Sequence, residues 1–111
     1  MSLPRLYRPN RWVVIRCESN DEEIYKVMGG WIGGYLDGDS WRLNSGITEV
    51  IDNGIEYEFV GASGSIYVCD KRTEGMTSLM AAIYHVWENE IDKDSEIEVI
   101  DAKEYYESAK A

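Results

Sequence analysis

Short runs of strand-forming residues separated by polar and glycine turns fill the chain up to residue 69, and a helical period takes over from residue 76. Residues 11–17 place Val13, Ile15 and Cys17 on one face and Trp12, Val14 and Arg16 on the other, which predicts a strand rich in β-branched and aromatic side chains. A polar turn at residues 18–21 leads to a second strand, 22–28, as its hairpin partner. Residues 47–51 and 55–60, joined by Asn53-Gly54, form the clearest hairpin signal, with Ile55, Tyr57 and Phe59 predicted inward. Residues 65–69 follow as a strand whose Ile66 and Val68 are expected to face the core.

Met76, Leu79, Met80, Ile83, Val86, Trp87 and Ile91 then fall at helical spacing and predict one amphipathic helix, with Thr73 or Thr77 as its N-cap. Residues 97–100 read as a short last strand. Asp101 with Glu104 three residues on is a capping-box signature for a terminal helix over 102–110. These elements predict an α+β fold: one twisted, curved antiparallel sheet of five to seven strands in a meander, one amphipathic helix packed on it, and a short C-terminal helix.

The stretch 28–47 breaks this pattern. Gly29-Gly30 and Gly33-Gly34 bracket Trp31-Ile32, and Tyr35, Asp37-Gly38, Trp41 and Arg42 follow. Glycines within a strand mark a bulge, a bend or a close approach of another group. A strand bent around residues 29–34 is therefore expected, then a turn at Asp37-Gly38 and a return strand over 40–43. Residues 1–10 hold both prolines, Pro4 and Pro9, and read as an extended N-terminal arm, positively charged through Arg5 and Arg8. Residues 11–111 read as a single α+β domain.

With 111 residues the chain is long enough for one core without metal or disulfide staples. Hydrophobic residues at 44% predict folding rather than wholesale disorder. The formal charge of -10, from 21 acids against 11 bases, repels phosphate backbones and anionic lipid surfaces, so neither nucleic acid nor membrane is an expected partner. Cys17 and Cys69 lack metal-site or redox-pair spacing, and no signal-peptide pattern or long apolar run is present, which points to a reduced, cytoplasmic setting.

Familiar chemistry fails on spacing. Gly38-Asp39-Ser40 matches the nucleophile block of a lipase family, but the one histidine, His85, has Ala82 where the family needs Asp. A calcium loop starting at Asp37 meets Arg42 where glycine is required and Thr48 where the bidentate Glu belongs. Gly29 to Gly34 lacks dinucleotide-fingerprint spacing, and residues 61–65 lack that of a nucleophile elbow. No catalytic residue, cofactor or metal site is predicted, although Asp37 and Asp39 keep a looser cation or ligand site open. What remains is aromatic. Trp31, Tyr35, Trp41 and Arg42 have the composition of interaction hot spots, against the alternative that the rings fill the core.

In Gly29-Gly30-Trp31, in the run from Ser40 to Ile47, in residues 61–67 and in Gly75-Met76-Thr77-Ser78-Leu79, the chain resembles uncharacterised small proteins of tailed marine cyanophages, over residues 7–90. That resemblance implies an accessory phage protein and carries over no functional residues. The function expected is a small acidic, non-enzymatic protein-binding or self-associating module, acting as a homodimer or with a protein partner, with Trp31, Tyr35, Trp41 and Arg42 as its contact residues. The alternatives are an acidic nucleic-acid mimic that inhibits a host protein, and a small ligand- or metal-binding domain.

Overall fold

A computed structural model describes residues 3–34 and 38–111. The chain order is β1 (Leu6–Tyr7), β2 (Arg11–Ser19), β3 (Glu22–Gly34), β4 (Gly38–Leu43), β5 (Ile47–Asp52), β6 (Glu56–Gly61), β7 (Ile66–Asp70), α1 (Ser78–Glu90), β8 (Ser95–Ile100) and α2 (Ala102–Lys110). The α+β class holds, but the strands build two four-stranded sheets rather than one. The first runs β1-β7-β6-β5 and the second β4-β3-β2-β8. All pairings are antiparallel except β1 with β7.

The alternation in β2 explains the layering. Trp12 and Val14, with Val27 of β3, face Val50, Tyr57, Phe59, Tyr67 and Cys69 of the other sheet. Val13 and Ile15, with Met28, face Met80 of α1 and the partly buried Ile83, Tyr84 and Trp87. The second sheet is thus buried on both faces, and the order of layers is sheet, sheet, helix. On the α1 side, Val86 and Ile91 of the predicted apolar stripe stay exposed at 45% and 39%, and Tyr84 packs instead.

The chain changes sheets at Asn44. Its N–H donates to the Val27 carbonyl at 3.0 Å, while its side-chain oxygen accepts the Val27 N–H at 2.9 Å. The side chain thereby ends the β3–β4 ladder. Gly46, at φ 137, then adopts a conformation that L side chains rarely take and leads into β5.

Two inward assignments change. Ile55 sits in the Asn53-Gly54 turn and is 75% exposed, because the Asn53 side chain accepts the Ile55 and Glu56 N–H groups and delays the strand to Glu56. In β7 it is Tyr67 and Cys69, not Ile66 and Val68, that face the intersheet core; they pair opposite Phe59 and Tyr57. The N-terminal arm is extended, and Leu6–Tyr7 adds a strand to the edge of the first sheet beside Ile66 and Tyr67. Arg8 pairs with Glu56 at 3.2 Å.

Thr77 caps α1 in an unusual way. Its hydroxyl accepts the Met80 N–H at 3.1 Å, and the Met80 sulfur accepts the Thr77 N–H at 3.4 Å, in the role that Glu or Gln usually fills. Asp101 caps α2 through the Glu104 N–H at 3.0 Å. Tyr105 and Tyr106 of α2 then pack on Tyr25 and Tyr57, closing the side of the two-sheet core.

Candidate functional site

Gly29 and Gly30 allow the aromatic segment to pass through the molecule. A methyl at Gly29 would lie 2.9 Å from the Pro9 side chain, and one at Gly30 would overlap the Met80 sulfur. Neither glycine has a positive φ, so close approach rather than backbone conformation demands them. Between Trp31 and Gly34 the pairing with β4 shifts register, and Gly33 takes φ 72. The expected bulge lies there.

Of the four predicted contact residues, Tyr35 lies outside the described residues, as does Asp37. The other three border a hollow of about 250 Å³ at the β4 edge, lined by Tyr7, Trp31, Ser40, Trp41 and Arg42. They do not form one flat patch. Trp31 lies on the intersheet side, half-buried, with its ring N–H donated to the Arg8 carbonyl at 3.1 Å. Tyr7 meets it edge-on at 6.3 Å, and the Arg42 guanidinium carbon sits 4.7 Å from the centre of the Tyr7 ring. Trp41 lies on the helix side and meets Trp87 of α1 edge-on at 5.3 Å. So Trp31 serves the core in large part, and Trp41, 38% exposed, is the open ring.

Sequence reading missed Tyr7 and assigned Trp87 only to the helix core. The aromatic between two prolines was a signal for Tyr7, but nothing local shows which sheet it joins. Behind Tyr7, burial pushes the Tyr67 hydroxyl up to about 12, with the positive charge of Arg42 acting in the opposite direction.

The main chain of β4 completes the geometry. Gly30 pairs opposite Trp41 and Gly29 opposite Arg42. The Gly30 carbonyl accepts the Asn10 N–H at 2.8 Å, on the side of β3 away from β4. Asn44 bonds inward to Val27. Antiparallel ladders alternate, so Arg42 and Asn44 bond toward β3 while Trp41 and Leu43 direct their N–H and C=O groups outward from the sheet.

The four sheet edges differ. β1 has two residues and lies between Pro4 and Pro9. β5 carries Glu49 and Asp52 with a register break beside Glu49, and β8 carries Glu96 and Glu98. Short strands, charges and irregular pairing all discourage strand addition. β4 carries one acid and one base, and both turn back on their own chain: Asp39 accepts the Gly33 N–H at 3.0 Å, and Arg42 lies over Tyr7. From Gly38 to Arg42 every residue is exposed.

Other clusters offer less. Arg16 contacts Glu18, Glu23, Glu96 and Glu98 at 3.4–3.6 Å, an ion-pair network at the surface. Cys17 faces α1 and Cys69 the intersheet core, so the free thiols occupy different layers; burial raises the pKa of both. Among the described residues no group of three or more His, Cys, Asp or Glu is arranged to hold a metal ion, and no helix is long and apolar enough to cross a membrane. Comparisons with protein-family models, curated proteins and solved structures find no match to this chain.

Proposed function

We infer that this chain is a protein-binding module that works by strand addition along β4. The observation that carries this reading is the contrast among the sheet edges: among the described residues, β4 alone is an edge strand longer than two residues without a net acidic charge. Main-chain hydrogen bonds to the outward groups of Trp41 and Leu43 supply affinity, and alternate side chains of the added strand meet different surfaces. On the helix side they meet Trp41 and Trp87; on the other side they meet the hollow beside Tyr7, Trp31 and Arg42. The acidic surface elsewhere repels acidic segments and polyanions. No catalytic step is assigned to these residues, and the phage-like resemblance fits an accessory protein acting through contact.

Peptides selected from a displayed random library on the immobilised chain test the reading. Bound peptides are expected to slow hydrogen exchange at the Trp41 and Leu43 amides, and Trp41→Ala is expected to weaken them about tenfold or more while the circular dichroism spectrum is unchanged. Trp41 is already 38% exposed, and its contact with Trp87 contributes only about 0.5–1.5 kcal/mol beyond the area it buries, so its loss is expected to weaken the fold without unfolding a domain of ordinary stability. Peptides that bind while both amides exchange freely would place the binding surface elsewhere.

A further inference from the structure

Resting on the reading of β4 as the binding edge, we propose that a second copy of this chain is its partner, paired antiparallel about a two-fold axis that passes beside Trp41. A two-fold interface must be complementary to itself. In β4 the outward hydrogen-bonding positions are Trp41 and Leu43, with Asp39 next in the alternation. Centring the axis on Trp41 makes the two Trp41 residues exchange N–H and C=O groups, and sets Asp39 opposite Leu43 of the other copy. Ser40 then faces Arg42 of the other copy. Shifting the centre to Arg42 would put two guanidinium groups directly opposite each other, an unfavourable like-charge pair.

Two features favour a second copy in this register. The chain carries a formal charge of -10, so copies meeting at the acidic β5 or β8 edges would add like charge to like, whereas β4 contributes Asp39 and Arg42, which cancel. The axis is perpendicular to the sheet, so both Trp41 rings fall on the same face. Each already meets its own Trp87, and the pairing extends these contacts into a row of four indoles across the joint. The two second sheets become one continuous sheet, with both α1 helices on one side.

Ser40 provides the test, because it is exposed and lies on the face opposite the Trp41–Trp87 contact. Ser40→Glu places a carboxylate opposite Arg42 of the other copy twice, and Ser40→Lys places an ammonium there twice. Sedimentation equilibrium of the full chain at moderate salt is expected to show a dimer constant about threefold to tenfold tighter for Ser40→Glu and weaker by a similar factor for Ser40→Lys. Net charge alone predicts the reverse order, since Ser40→Glu makes each copy more negative and Ser40→Lys less so.

A dimer that follows the net-charge order, or ignores both substitutions, overturns the proposal. A monomer at every concentration also overturns it. In that case, selected peptides that protect the Trp41 and Leu43 amides would leave the strand-addition reading standing, and peptides that fail to protect them would remove both.

Discussion

Gly30→Ala tests how the aromatic segment is fastened to the helix. Gly30 faces α1, and a methyl there would overlap the Met80 sulfur and lie 3.2 Å from the Thr77 methyl carbon. Met80 is fully buried and also accepts the Thr77 N–H through that sulfur, so it cannot withdraw without disturbing the N-terminus of α1. Overpacking of this kind costs about 1–3 kcal/mol. Disturbing the cap adds roughly 0.5–2 kcal/mol. Against this, replacing glycine by alanine at a compatible backbone conformation reduces unfolded-state freedom and returns about 0.4–1 kcal/mol.

The net expectation is destabilisation of about 1–4 kcal/mol. Urea unfolding followed by tryptophan fluorescence measures it, with the midpoint falling and the slope unchanged. The double variant sharpens the reasoning. Met80→Ala alone costs about 2–5 kcal/mol by leaving a cavity. In that background the alanine methyl at position 30 enters space vacated by Met80 and keeps only the milder contact with Thr77, so the penalty of Gly30→Ala should shrink to a small part of its size in the parent. A Gly30→Ala protein as stable as the parent, or one equally destabilised in both backgrounds, would refute the account of Gly30 as a fitting for Met80.

Two further expectations concern groups hidden in the core. Asn44→Ala removes the acceptor of the Val27 N–H, which is bonded at 2.9 Å, and should cost about 1–3 kcal/mol in chemical denaturation; an unchanged midpoint would mean that another acceptor replaces it. Tyr67 is 1% exposed, and burial raises its hydroxyl to about 12, against about 10 in an unfolded chain. A raised phenol pKa means that the neutral form is favoured by folding, so this contribution is intact below pH 10 and is lost as pH climbs through 12. Tyr67→Phe should therefore move alkaline unfolding to higher pH, and phenolate absorbance in which all tyrosines titrate near 10 in the folded protein would contradict this.

The sequence by itself determined the local elements. Period-two patterning in β6 marks its inward face, because a half-buried strand must alternate, and the β-branched and aromatic run of β2 marks it as a strand without saying which face is inward. Helical spacing from Met80 to Trp87 marks α1, and Asp101 with Glu104 marks the start of α2. The sheet assignment was decided only in three dimensions. Trp12 and Val13 are both buried, one against a sheet and the other against a helix, and a single apolar run cannot say what covers each side. The switch at Asn44 depends on a side chain reaching Val27, seventeen residues earlier, and the β1 strand depends on Tyr7 meeting Tyr67.

The candidate site divides in the same way. Trp31, Trp41 and Arg42 stood out by residue type, but the register of β3 with β4 sends Trp31 and Trp41 to opposite faces and brings Arg42 to Tyr7. Edge status was hidden altogether, since it follows from which strands pair and not from what any one strand contains. Local periodicity determines which residues seek burial; long-range packing decides which main-chain groups are left to find a partner.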